Sequence, residues 1–129
     1  MFHALRLVPG QDLSITLKEW TVANNIQAAA IVTCVGSVSQ AHLRLANRDS
    51  GSRFHQKMEI LALSGTLSPD GPHLHISLAD GDGRCIGGHI LEGCLVHTTA
   101  EIVICEIPNV KFGRKLDEKT GYRELVIIK

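Results

Sequence analysis

Three histidines have a type and spacing that suit metal binding. His73 and His75 lie two residues apart in a segment where polar and apolar residues alternate strictly, which predicts a β-strand. Side chains at positions i and i+2 of a strand share one face, roughly 7 Å apart, so both imidazoles can lean onto one ion. Neutral imidazole is a common nitrogen ligand for zinc and related divalent transition metals. His73 and His75 are therefore candidate metal ligands.

His89 can join them only if the intervening turn has the right length. Residues 80–83 read Asp-Gly-Asp-Gly, which is typical of a hairpin turn. A two-residue turn would set His89 opposite Leu74, on the wrong face of the hairpin. A three-residue loop with Gly83 in the left-handed conformation would set His89 opposite His75, and this loop is the commoner choice when such a glycine is present. The sequence thus predicts three imidazoles on one face.

The alternative to a metal site is a polar stripe of histidines facing solvent. Gly87 and Gly88 favour the metal site slightly, because glycine lets a ligand approach the backbone closely. If a bound metal activated a water molecule, Glu92 or Glu101 could serve as general base, although a carboxylate on a sheet is more often structural. The other histidines show no partner spacing and are interpreted as ordinary surface or core residues: His3, His42, His55 and His97.

Composition excludes several other classes of function. Thirteen Lys plus Arg balance thirteen Asp plus Glu among 129 residues, whereas nucleic-acid-binding domains usually carry a basic stripe, so we expect no direct nucleic-acid binding. No segment approaches the roughly 20 apolar residues that span a bilayer, and the N-terminus lacks the pattern of a signal peptide. We expect a cytoplasmic protein with no membrane partner, and leave a nuclear location open.

The cysteines lack the Cys-x-x-Cys spacing of a redox or zinc motif. They lie in apolar or glycine-rich runs, which indicates free, buried thiols in a reducing compartment. Cys85 or Cys94 could replace an imidazole as ligand, but nothing in the spacing demands it. The four are Cys34, Cys85, Cys94 and Cys105.

The elements that must position the histidines form a single α+β domain over residues 1–129. Asp12 is a candidate N-cap for a helix whose apolar face includes Leu13 and Leu17 and continues from Val22 to Ile26. The helix is predicted to end at Asn24-Asn25. Gly36-Ser37 is predicted to break a strand that is buried on both faces, and residues 66–72 are predicted to form a turn. Apart from the histidine hairpin, strands are predicted at 2–8, 28–35, 42–45, 58–63, 94–107 and 123–128. One helix and about seven strands indicate a largely antiparallel sheet.

The central part of the chain resembles the plant and prokaryote conserved (PPC) domain. The likeness is carried by GTLSPDGPHLHISLAD at residues 65–80 and DGRCIGGHILEGC at residues 82–94. Shorter matches lie at residues 6–10, 36–37, 59–61, 64–66, 99–101 and 120–125. The resemblance implies an α+β fold with an antiparallel sheet, a homotrimer, and a metal held by His73, His75 and His89. Self-association would also cover the edges and faces of long apolar strands on a small domain.

The chain differs from the plant members of that family in two respects. They carry an AT-hook, whereas this chain has no Arg-Gly-Arg-Pro sequence, so it is identified as a single-domain form without the hook. Their partner-contact segment ends in Phe-Glu-Ile-Leu, whereas residues 58–61 here read Met-Glu-Ile-Leu.

The prediction is therefore a homotrimer that binds a divalent transition metal, zinc, through His73, His75 and His89, with its physiological role unassigned. The motifs leave enzymatic activity open, with the balance against it. One alternative is a non-enzymatic regulatory or oligomerisation module that contacts protein partners or DNA. Another is a small ligand at the metal or at a subunit interface, with Arg6 or Arg44 meeting an anion.

Overall fold

Nine strands and one helix make up the chain in a computed structural model that describes all 129 residues. In chain order they are β1 (Phe2–Leu7), α1 (Leu13–Ala23), β2 (Ala29–Arg44), β3 (Ser52–Phe54), β4 (Met58–Leu67), β5 (His73–Ala79), β6 (Cys85–Ile90), β7 (Leu95–Glu106), β8 (Lys111–Leu116) and β9 (Arg123–Ile128). No helix is long and apolar enough to cross a membrane.

Seven of the strands form one sheet in which every pairing is antiparallel. The 16-residue β2 pairs with β7 on one side and β4 on the other, and β5 and β6 follow β4. β6 also pairs with the far end of β2, where Arg44 lies opposite His89, so β2, β4, β5 and β6 close into a ring. The predicted α+β fold with about seven antiparallel strands is confirmed for this sheet. β8 and β9 form a second, two-stranded sheet.

The N-terminus of α1 is fixed by the predicted cap. One carboxylate oxygen of Asp12 accepts a hydrogen bond from the backbone N–H of Ile15 at 3.0 Å. The other accepts from the N–H of Gly93 at 2.6 Å, which ties the helix to the turn before β7. Leu13 and Leu17 are fully buried in the core, as their spacing predicts.

The C-terminus of α1 departs from the prediction at one residue. The helix ends at Ala23, with Asn24 as its cap, as the Asn-Asn pair indicates. Val22, however, is 62% exposed, so the buried face does not continue through it. Ile26 is buried only after the chain has left the helix and turned at Asn25, which has a φ of 53°.

The predicted break at Gly36-Ser37 is wrong, because β2 runs through both residues. A Cβ at position 36 would collide with the carbonyl oxygen of Thr99 on β7, so the glycine allows the two strands to approach closely. Irregular register on both sides of this contact bends β2 without ending it. Burial on both faces is also wrong for this strand, since Val32 and Val35 are exposed.

One further boundary and one strand differ from the sequence prediction. β4 extends to Leu67, so the turn before β5 comprises residues 68–72 rather than 66–72. β8 was not predicted, because its sequence KFGRKL has a weak apolar alternation. It pairs along its whole length with β9, whose predicted bounds are confirmed.

One hydrophobic core joins the ring to β1, α1 and β7. Leu74, Ile76 and Leu78 of β5 are buried and belong to one cluster of 22 buried residues. The alternate residues of β5, which include His73 and His75, therefore lie on the outer face of the sheet. Core packing thus fixes which face presents the histidines.

Candidate metal centre

The loop between β5 and β6 has the three-residue form that the sequence predicts. The backbone N–H of Asp80 donates to the carbonyl of Arg84 at 2.9 Å, which leaves residues 81–83 as the loop. Gly83 has a φ of +78°, the left-handed conformation expected for this position. The carboxylate of Asp80 accepts hydrogen bonds from the N–H groups of Asp82 and Arg84, both at 2.9 Å. The loop length is therefore fixed by the residues of the loop itself.

This loop places His89 opposite His75, which confirms the predicted register. The ring centroid of His73 lies 5.1 Å from the centroid of His75 and 5.1 Å from that of His89. The centroids of His75 and His89 lie 5.7 Å apart. One nitrogen from each ring can be chosen so that all three lie within 4.8 Å of one another. We refer to His73, His75 and His89 as the histidine triad.

The donor set of the triad fits a metal ion. A tetrahedral zinc site with Zn–N distances of about 2.0–2.1 Å needs nitrogens roughly 3.4 Å apart. Small rotations of the three side chains would bring the nitrogens from 4.8 Å or less to that separation. The imidazoles that hydrogen-bond to other protein groups are those of His3 and His42, so no protein contact competes for the triad nitrogens.

The surroundings of His73 and His89 favour the uncharged form that ligates metals. Burial, followed by the charge of Arg44, lowers the pKa of His89 to about 4 from its ordinary 6.5. Burial, followed by the charge of Arg114, also lowers the pKa of His73. Since a metal binds neutral imidazole, no proton has to be displaced from these two rings at neutral pH.

Two arginines beside the triad come from distant parts of the chain. Arg44 lies opposite His89 where β2 meets β6. Arg114 of β8 donates from Nη2 to the hydroxyl of Thr66 at 2.8 Å, and Thr66 lies opposite His73. Of the two arginines that the sequence offered for an anion, the structure therefore places Arg44 at the triad. The other, Arg6, lies on β1 and donates to Thr99.

The other sequence candidates do not join the triad. Glu92 lies in a groove against α1, and Glu101 lies near Cys34. Burial, followed by the charge of Glu101, raises the pKa of Cys34 to about 11. The carboxylates that line the cavity beside the triad are instead Asp70 and Glu124, which the sequence reasoning missed.

The cysteines are free, as predicted, and none reaches the triad. Cys94 is buried and donates from Sγ to the carbonyl of His42 at 3.4 Å. Cys34 is also buried and Cys105 is half-buried. Cys85 is exposed at the start of β6, so the prediction of a buried thiol is wrong there.

The histidines outside the triad are ordinary surface or half-buried residues, in line with their lack of partner spacing. Nε2 of His3 lies 2.8 Å from a carboxylate oxygen of Glu106. Nδ1 of His42 lies 2.7 Å from the carbonyl oxygen of Glu92. These protein contacts explain the positions of His3 and His42 without any bound ligand.

Comparison with known proteins matches this chain to one family. Residues 1–108 match the family described as the Plants and Prokaryotes Conserved (PCC) domain. The bifunctional protein GlmU of Synechococcus sp. (strain JA-3-3Ab) is 48% identical over 127 residues, which cover 98% of this chain and 20% of that protein. The chain thus spans about a fifth of the length of such curated relatives.

Solved structures agree with that match. A hypothetical protein from Salmonella superposes with a TM-score of 0.97 at 39% identity, covering 100% of this chain and 94% of that one. A structure described as the metal-containing protein AF0104 from Archaeoglobus fulgidus superposes with a TM-score of 0.85 at 26% identity, covering 98% and 93%. From the extent of the family match and the shared fold, this chain, which contains no AT-hook sequence, belongs to the Plants and Prokaryotes Conserved domain family.

Proposed function

We propose that this protein binds a divalent transition metal, zinc, through the histidine triad and works as a homotrimer. The observation that carries the proposal is the convergence of three imidazole nitrogens within 4.8 Å on one rigid hairpin. The name of the Archaeoglobus protein as metal-containing supports it. Zinc is favoured because it prefers four ligands that include imidazole nitrogen, and three protein ligands leave the fourth position for water or a small molecule.

Each residue of the site would have a distinct role. His73, His75 and His89 would hold the metal, and the β5–β6 hairpin would orient their rings. A zinc ion bound there would act as a Lewis acid and lower the pKa of a water molecule in its open position. Asp70 and Glu124 line the adjacent cavity and are the carboxylates available to accept a proton there. The hydroxyls of Ser64 and Thr66, opposite His75 and His73, make no hydrogen bond to a histidine or carboxylate that could activate them, so we propose metal and ligand binding rather than a named reaction.

Exposed apolar side chains support the homotrimer. Leu116, Ile127 and Ile128 on the β8–β9 sheet are each at least half exposed, as are Val32 and Val35 on β2. Exposed apolar side chains of this size on a small domain favour self-association, and the family resemblance points to three copies. Light scattering on a sizing column should give three times the chain mass of 14.0 kDa, and a clean monomer would contradict the trimer.

The remaining proposals follow from charge and thiol chemistry. A small ligand at the metal or the subunit interface is the partner we propose besides the protein itself. The formal net charge of zero disfavours direct nucleic-acid binding, and with it the alternative of a module that contacts DNA. Four unpaired cysteines favour the cytoplasm. The organisation of residues 1–129 as one domain stays a prediction.

Elemental analysis of protein purified without a metal-affinity tag tests the metal. We expect about one zinc per chain, lost in the double variant His73→Ala/His75→Ala. The variant His55→Ala is a matched control, because His55 is exposed and lies outside the triad. Substoichiometric metal that persists in the double variant would refute the proposed site.

A further inference from the structure

A cavity of about 380 Å³ lies beside the histidine triad, and His73 and His89 form part of its wall. Three arginines also line it, Arg44, Arg114 and Arg123, and we call this cavity the arginine cleft. Its volume lies within the range of sites that hold small molecules, about 300–1,000 Å³.

The guanidinium groups of two of these arginines are held in place by the protein. Arg114 donates to Thr66, and the carboxylate of Asp70 accepts a 2.8 Å hydrogen bond from the backbone N–H of Arg114. Arg123 donates from Nη2 to the carbonyl of Arg114 at 3.0 Å. Each of the two side chains makes one hydrogen bond to the protein out of the five N–H donors of a guanidinium, so most of their donors remain for a ligand.

Arg44 is held by an aromatic ring instead. Its Cζ atom lies 5.5 Å from the ring centroid of Tyr122, a distance typical of a cation–π contact. The arginine side chains that hydrogen-bond to the protein are those of Arg6, Arg114 and Arg123, so all five donors of Arg44 are free. This contact with the Tyr122 ring leaves the hydrogen-bond donors of the guanidinium unused.

The cleft carries uncompensated positive charge. Three arginines face the two carboxylates of Asp70 and Glu124, which leaves a net charge of one when the histidines are neutral. No carboxylate lies within 4.0 Å of any of these guanidiniums, since the one ion pair at that distance joins His3 and Glu106. Convergent arginines with free donors and no ion pair are suited to a planar or tetrahedral oxyanion.

The cleft is continuous with the triad. Arg44 lies opposite His89, and Thr66, which anchors Arg114, lies opposite His73. Residues directly opposite in an antiparallel pair share a face, with Cβ atoms about 4.5–5.5 Å apart. An oxyanion bound by Arg44 and Arg114 would therefore lie next to the open side of the triad.

We propose that the arginine cleft binds the oxyanion group, carboxylate or phosphate, of a small organic ligand. This deepens the proposed function, and it rests on that function only where the ligand's remaining atoms meet the metal. Anion binding itself needs the arginines alone, so it is measurable on metal-free protein.

Isothermal titration calorimetry with inorganic phosphate and with malonate, on chelator-treated full-length protein at constant ionic strength, tests the proposal. We expect saturable binding of at least one anion, and the tighter of the two identifies the ligand as a phosphate or a carboxylate. The variant Arg44→Gln should weaken that binding roughly tenfold or more, since charge-assisted hydrogen bonds are lost.

Arg84→Gln is the matched control, because it makes the same change of charge on an exposed residue outside the cleft. Its affinity should equal that of the wild type. Absence of saturable binding for both anions, or equal weakening in Arg84→Gln, would overturn the proposal. Arg44→Gln is preferred to a change at Arg114, whose side chain also holds β8 in place.

The variant His75→Ala separates this proposal from the metal site. His75 belongs to the triad but does not line the cleft, so the variant should lose zinc and keep anion binding. If the wild-type protein binds zinc, but binds neither anion once the zinc has been removed, the anion site is refuted and the metal site is not. If the protein binds an anion but no zinc, the metal site is refuted and the anion site is not.

Discussion

Replacing Gly83 with alanine should destabilise the protein without displacing the histidine triad. Gly83 has a φ of +78°, and a Cβ at this position would meet no atom within 4 Å, so the cost is conformational rather than steric. A residue with a Cβ in the left-handed conformation costs about 1–2 kcal/mol. For 129 residues the entropy of unfolding is about 0.27 kcal/mol/K, so Tm should fall by about 4–7 °C.

Gly81 offers a matched control in the same loop. A Cβ there also meets nothing within 4 Å, but Gly81 does not have a positive φ. Gly81→Ala should therefore leave Tm unchanged or raise it slightly, because alanine reduces the freedom of the unfolded chain by about 0.4–1 kcal/mol. Gly83→Asn should recover part of the loss, since asparagine tolerates the left-handed region.

Thermal unfolding of the metal-free variants, followed by circular dichroism, measures these shifts. Zinc content of Gly83→Ala should stay at the wild-type level, because the strain lies in the loop and not in the pairing of His75 with His89. An unchanged Tm for Gly83→Ala, or an equal fall for Gly81→Ala, would refute the assignment of the loop conformation and the register argument built on it.

Three other predictions concern thiols, acid and the core. A thiol reagent should modify exposed Cys85 first and Cys94 slowly, because burial raises the pKa of Cys94 to about 11. A Cys85→Ser variant that kept the fast phase of modification would contradict this prediction. The pKa of His89 is about 4 when folded and 6.5 ordinarily, so the unfolded chain binds the extra proton between these values. Stability of the metal-free protein should therefore fall as pH drops from 6.5 to 4, less steeply in His89→Gln, as thermal melts would show. Leu17→Ala, at a fully buried site, should cost about 2–5 kcal/mol in denaturant unfolding, whereas Val22→Ala, at an exposed site, should change stability by less than about 0.5 kcal/mol.

The triad could be predicted from the sequence because its geometry is local. The alternation of residues 73–79 sets the face, and the loop chemistry of Asp80 and Gly83 sets the register, all within one hairpin. Packing of Leu74 and its neighbours in the core then agrees with the local preference. When local signals and burial point to the same answer, a short segment specifies its own structure.

The sequence offered Arg44 for an anion, but the position of the arginines beside the triad could not be predicted, because long-range strand pairing brings them there. Arg44 reaches His89 only because β2 is continuous and bends far enough to pair with β6. A glycine such as Gly36 can end a strand, and it can equally allow the close approach of a neighbouring strand. Only the neighbouring strand, here at Thr99, decides between the two. Arg114 depends on a strand with weak alternation, which no local pattern reveals.

The hydrogen bond from the backbone of Arg114 to Asp70 has a consequence for the order in which the molecule opens. It and the Thr66 contact tie the β8–β9 sheet to the turn before β5 and to the end of β4, while the histidine hairpin is part of the closed ring. Amide hydrogens of β8 and β9 should therefore exchange with solvent sooner than those of β5 and β6. Arg114 and Arg123 would then leave and rejoin the site while Arg44 and the histidine triad stay in place, so a ligand could enter and leave without disturbing the metal.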